Sequence, residues 1–129
     1  NNGGLIFFDY GYNNKKMFNT LQSVNKHHFS NLLISPGDND ITHLINFKIL
    51  SEIINKLDLE NNDIVNQEYF LKRMGILERA NILSKNKSFK EKADIFYRLK
   101  RLIDHQEMGE QFKVISAQKK GIKFNLGFV

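Results

Sequence analysis

Gly3-Gly4-Leu5-Ile6-Phe7-Phe8-Asp9-Tyr10-Gly11 is the stretch on which the fold turns. Four apolar residues in a row, Leu5 to Phe8, follow a glycine pair and stop at an acid, an aromatic and a glycine. A short apolar run bounded by turn residues predicts a strand buried on both faces. In open α/β sheets, ligands sit outside the carboxyl ends of such strands, and Asp9, Tyr10 and Gly11 fall at that edge. Read by itself, the segment is also an ordinary strand followed by an Asp-Tyr-Gly turn.

Around this strand stand 129 residues, enough for one domain with a core. The absence of cysteine excludes disulfides and thiolate zinc sites and fits a reducing compartment. The net charge of +5 and pI near 9.4 admit an anionic partner. The basic residues are scattered rather than striped along one helix, however, and no aromatic–basic interleaving marks a nucleic-acid surface. No apolar run approaches the roughly 20 residues of a membrane helix. The early apolar run lacks the basic flank and cleavage site of a signal peptide. The chain opens directly on a buried-type strand without a starting Met, which predicts a piece of something larger.

Downstream, Tyr12–Lys16 reads as loop and Thr20–Val24 as a short extended segment. Ser35-Pro36-Gly37-Asp38-Asn39-Asp40 carries the only proline and is the strongest turn signal. Ile41, Leu44 and Ile45 make another extended segment. Phe47, Leu50, Ile53, Ile54 and Leu57 recur at helical spacing, with Asn46 as cap. Ile64-Val65 reads as a brief strand. A helix from Asn66 ends at Gly75, and another starts at Ile76 with Ala80 and Leu83 on one face. Ser88 and Glu91 have capping-box spacing and open a helix expected to bury Ala93, Phe96, Leu99 and Ile103. Asp94–Arg98 and Lys100–Asp104 are spaced for ion pairs on its outer face. Met108-Gly109 reads as a turn, Phe112 to about Gln118 as a final strand, and the glycine-punctuated tail as extended over the surface. Strands alternating with helices, without repeats or linkers, predict a single α/β unit.

Neither the Rossmann nor the P-loop glycine pattern occurs, and no H-E-x-x-H is present. His27 and His28 are adjacent and poorly placed to share a metal, while His43 and His105 have no partner at ligand spacing, so no metal site is expected. Asp38 and Asp40 beside a Pro-Gly turn suit loop formation. Local sequence leaves His27 open between a hydrogen-bonded structural role and that of a base.

Several segments together resemble the MidA family of S-adenosylmethionine-dependent methyltransferases, which includes the mitochondrial complex I assembly methyltransferase. The matching series is Asp9-Tyr10-Gly11, Thr20-Leu21-Gln22 with His27, Pro36-Gly37, then Asp40-Ile41-Thr42 leading to Phe47. It continues with Gln67, Phe70-Leu71, Met74-Gly75-Ile76, Arg79, Arg101-Leu102-Ile103, Met108-Gly109-Glu110 and Phe112-Lys113-Val114. The chain departs from the family pattern at Asn46, at His43-Leu44 and at Gln111.

The resemblance implies an α/β fold: the C-terminal half of a class I (Rossmann-like) methyltransferase sheet with added helices and loops. Residues 1–129 are then part of one domain. Residues 1–11 form a core strand and turn, 12–46 a substrate-facing insertion, 47–104 a helical part and 110–118 a final antiparallel strand. The implied activity is methylation of arginine on a respiratory complex I subunit, in complex I assembly. S-adenosylmethionine would be held mainly by residues upstream of this chain, which by itself would be inactive. On this resemblance Asp9, His27 and Asp40 are the catalytic candidates. Tyr10, Gly11, Thr20, Pro36, Gly37, Thr42 and Gln67 are the substrate-binding candidates. The implied partners are the arginine-bearing protein substrate and a second copy in a homodimer. The implied location is the cytoplasm of a bacterium or the mitochondrial matrix of a eukaryote. Two readings compete with it: a non-catalytic partner-binding or assembly module, and a basic nucleic-acid-binding domain.

Overall fold

The computed structural model describes residues 3–35, 37–122 and 124–129. Its larger sheet is built on β1 (Gly4–Tyr12) and β8 (Phe112–Lys119), which pair antiparallel from Gly4↔Gln118 to Tyr10↔Phe112. β5 (Ile45–Asn46) joins β1 in parallel, but only at Gly11 and Tyr12. β6 (Leu59–Asn61) and β7 (Val65–Asn66) line the other edge of β8, both antiparallel to it. From Gly4 to Tyr10 the second edge of β1 therefore has no strand partner among the described residues.

That free edge overturns the expectation that β1 is buried on both faces. Leu5 is 60% exposed and Phe8 42%. The strand buried on both faces is β8, where every residue from Val114 to Gln118 is buried. The reason is position: β8 has strands on both sides and helices on both faces, whereas β1 is a border strand.

On one face α1 (Phe47–Lys56) packs Phe47 and Ile54 against Ile115 and Ala117. Asn46 caps it as the sequence predicts, its Oδ1 accepting from the backbone N–H groups of Lys48 at 3.1 Å and Ile49 at 3.2 Å. On the opposite face Phe70, from α2 (Gln67–Arg73), meets Val114 and Phe128. The Phe8 and Phe128 rings each stand edge-on to Phe70 at 5.1 Å. Phe128 corrects the expectation of a surface tail. Gly127, at φ 84°, lets the chain turn Phe128 inward, and any Cβ there would stand 2.5 Å from the Phe70 ring.

Gly75 lies in the left-handed region after α2, and α3 (Ile76–Ser84) follows directly, with Ala80 buried and Leu83 exposed. α4 (Phe89–Ile103) begins with the predicted capping box of Ser88 and Glu91. It buries none of its residues fully: Leu99 and Ile103 are half-buried, while Ala93 and Phe96 are exposed. Its Asp94–Arg98 and Lys100–Asp104 pairs form at 3.0 and 3.9 Å. The expected turn at Met108-Gly109 is a short helix, α5 (Met108–Gln111).

Residues between β1 and β5 form a separate small sheet, ordered β3 (His28–Ser30), β2 (Gln22–Asn25) and β4 (Asp40–Thr42). Polar groups knit it together. Ser23 and Ser30 hydroxyls pair at 3.0 Å, and Asn39 donates to Ser30 Oγ at 3.0 Å and to the Ile34 carbonyl at 2.7 Å. The predicted loop before it and the turn between β3 and β4 are both present, apart from Pro36, which lies outside the described residues.

Candidate functional site

Strand alternation places Leu5, Phe7, Asp9 and Gly11 on the α1 face of the sheet. Asp9 lies opposite Lys113 on β8, and Lys113 lies opposite Asn66 on β7. Asp9, Lys113 and Asn66 thus form one row across three strands. The strand continues beyond Asp9 to Tyr12, because β5 pairs with Gly11 and Tyr12; Asp9 is therefore inside β1 rather than at its end. Its Oδ1 accepts from the Tyr10 N–H at 2.8 Å.

Lys113 is the pivot of this row. Its side chain is only 12% exposed. The ammonium donates to Asn66 Oδ1 at 2.8 Å, the Glu110 carbonyl at 2.5 Å and Glu110 Oε1 at 3.0 Å. Three donors meet three acceptors, which is what a mostly buried ammonium requires. Asn66 Nδ2 in turn donates to Glu110 Oε2, and His105 Nδ1 stands 3.6 Å from that oxygen. Glu110 reaches this position because Gly109 precedes it. A Cβ at Gly109 would stand 2.6 Å from the Ile103 carbonyl, so α5 docks closely on the end of α4. The network borders a pocket of about 360 Å³ whose lining also includes Gly11, Tyr12, Asn13 and Ile64.

The remaining sequence candidates lie elsewhere. Lys26 and His27 form the tip of the β2–β3 hairpin, at φ 48° and 67°, and His27 is exposed. Asp40 pairs with Val24 and is exposed; Thr42 Oγ1 accepts from Gln22 Nε2 at 3.0 Å. Thr20 Oγ1 accepts from the Leu44 N–H at 3.0 Å, tying the small sheet to the approach to β5. Thr20 also borders a pocket of about 530 Å³ together with Met17, Phe18 and Ile49. Gln67 is buried, its Nε2 donating to the Leu102 carbonyl at 2.9 Å. Tyr10 stacks on Phe112 with ring centroids 3.9 Å apart. Gly37 has φ 95° and open space around it. No hydrogen bond or ion pair joins Asp9, His27 and Asp40 among the described residues. The Lys113–Glu110–Asn66 network was not a sequence candidate, although Met108-Gly109-Glu110 and Phe112-Lys113-Val114 are both motifs in the matching series. Among the described residues no group of three or more His, Asp or Glu side chains gathers as for a metal.

The mixed α/β fold resembles part of a methyltransferase structure. A superfamily member from Burkholderia thailandensis, solved with S-adenosyl-homocysteine bound, superposes with a TM-score of 0.80 at 27% identity. The match covers 97% of this chain and 34% of that one. An uncharacterized protein of the same superfamily and organism gives a TM-score of 0.81 at 27% identity, over 98% of this chain and 35% of that one. The family model described as "Putative S-adenosyl-L-methionine-dependent methyltransferase" matches residues 1–64. Over 114 residues, 88% of this chain and 26% of the relative, the chain is 28% identical to the mitochondrial protein arginine methyltransferase NDUFAF7 of Danio rerio. The chain is thus similar to this methyltransferase family in part, and it spans about a quarter to a third of the length of these relatives.

Proposed function

We propose that this chain is the substrate-facing part of an S-adenosylmethionine-dependent protein arginine methyltransferase that serves respiratory complex I assembly. The carrying observation is the superposition of nearly the whole chain on a relative that holds S-adenosyl-homocysteine. The 28% identity to a protein arginine methyltransferase supports arginine as the acceptor.

The described residues do not fit the cofactor. The chain has no glycine-rich turn between strand and helix of the kind that approaches a nucleoside. Cofactor binding is therefore assigned to the part of the relatives that this chain does not span. The free edge of β1 supports that division: seven residues of an apolar strand await a neighbouring strand there. The cofactor supplies an activated methyl group. This chain must hold a guanidinium nitrogen in line with it and accept the proton that nitrogen loses. Carboxylates suit both tasks, since they grip a planar guanidinium in bidentate fashion. Asp9 lies inside β1 opposite Lys113, and Asp40 and the hairpin tip at His27 belong to the small sheet.

Calorimetry with S-adenosylmethionine tests the proposal, on this chain alone and mixed with a polypeptide equivalent to the rest of a relative. Binding only in the mixture, followed by methyl transfer to arginine, is expected. No heat from either folded sample would overturn the reading. It would favour the partner-binding module, which the exposed apolar surface of Leu5, Ile6 and Phe7 also suits.

A further inference from the structure

Glu110 is the one carboxylate among the described residues that is locked by a mostly buried cation and still borders a pocket. We propose that it is the binding carboxylate for the guanidinium of the acceptor arginine, in the pocket lined by the end of β1 and by β7. The substrate class rests on the methyltransferase reading above; the site itself rests on the geometry that follows.

Both oxygens of Glu110 are oriented before any ligand arrives. Lys113 fixes Oε1 at 3.0 Å and Asn66 Nδ2 fixes Oε2. Lys113 has no N–H left to offer the pocket, because Asn66 Oδ1 and the Glu110 carbonyl take the other two. It therefore acts as a clamp on Glu110 rather than as a ligand donor. A carboxylate accepts about four hydrogen bonds; Oε1 accepts one here and Oε2 one, with His105 Nδ1 3.6 Å from Oε2, so a lone-pair direction remains on each. The Glu110 side chain is 38% exposed, so these directions are reachable. Preorganised acceptors of this kind suit a flat cation with parallel N–H donors better than a compact ammonium. The Asn13 side chain makes no hydrogen bond among the described residues and adds an amide acceptor at the rim. Asp9 is the less suited carboxylate, since its Oδ1 already serves its own strand through the Tyr10 N–H.

The test is an NMR titration of the ¹⁵N-labelled chain with N-acetyl-arginine-N′-methylamide, using the matching lysine compound as control. Saturable shifts at Gly11, Asn13, Asn66 and Glu110 are expected with the arginine compound at millimolar concentration. Glu110→Gln, which keeps the size and one acceptor, should weaken binding by about tenfold. Asn13→Asp, which leaves the clamp untouched, should tighten it several-fold. Absence of saturable shifts, shifts centred elsewhere, or an affinity unchanged by both substitutions would overturn the proposal. No cofactor enters this measurement. In a separate assay of the reconstituted protein, methyl transfer to lysine would sink arginine as the acceptor, and no transfer at all would sink the methyltransferase reading; either would leave guanidinium binding standing.

Discussion

Lys26 and His27 sit at the two central positions of a two-residue hairpin, both with positive φ. That is the pattern of a type I′ turn, for which Asn-Gly is the favoured sequence. A side chain in the left-handed region costs roughly 1–2 kcal/mol per residue. Lys26→Asn with His27→Gly is therefore expected to raise the urea midpoint of the protein. The same variant decides the role of His27: if that side chain accepts the proton in methyl transfer, the more stable protein is inactive. Normal activity would make the strain purely structural. Local sequence left the role of His27 open, and nothing adjacent to it announces a positive φ. The Lys113 clamp was not legible at all. Its partners lie 47 and 3 positions away, and only the pairing of β7 with β8 brings Asn66 beside it.

Helices were the easiest elements to read, and their burial the hardest. Both α1 and α4 show apolar residues at helical spacing, and each starts at a predicted cap. Only α1 meets the sheet, through Phe47 and Ile54. The α4 helix rests on α2, α3 and α5 and leaves Phe96 and Phe89 exposed. A stripe of apolar side chains specifies that a helix has an inner face, not what covers it. Because α4 gains little from burial, its capping box should matter more to it. Hydrogen bonds from the Ser88 hydroxyl and backbone N–H, then Lys87, hold the Glu91 carboxyl down at about 2, from an ordinary 4.5. A depressed folded-state value stabilises the helix above pH 4.5, and that contribution is lost as pH falls toward 2. Far-ultraviolet circular dichroism should show helix content falling across that window. In Ser88→Ala, which loses roughly 1 kcal/mol of capping, the fall should be flatter and helix content lower at neutral pH.

For the whole molecule, the decisive feature is that the most apolar strand is also its border. Leu5, Ile6, Phe7 and Phe8 on an unpaired edge form a template for strand addition. Concentration-dependent association is therefore expected in sedimentation velocity. Ile6→Lys should suppress it, because a charge on an exposed edge opposes further pairing. An identical sedimentation profile for wild type and variant would show that the edge does not recruit a second strand. On the proposed function, the part of a relative that this chain does not span pairs at the same border, so Ile6→Lys should also impair reconstitution with that part. Among the described residues no helix is long and apolar enough to cross a membrane, in keeping with charges spread over all the helices.

Local chemistry was sufficient for the caps at Asn46 and Ser88, the turn at Gly75, the alternation of strand and helix, and the final strand at Phe112. These depend on residues within a few positions of one another, where spacing and capping act directly. Tertiary structure alone decided that β8, rather than the more apolar β1, is the buried strand. It also decided that Phe128 returns to the core and that Asp9, Lys113, Asn66 and Glu110 share one edge of the sheet. Each of those outcomes depends on which strands lie side by side. Register across a sheet joins residues far apart in the chain, and no local periodicity encodes it.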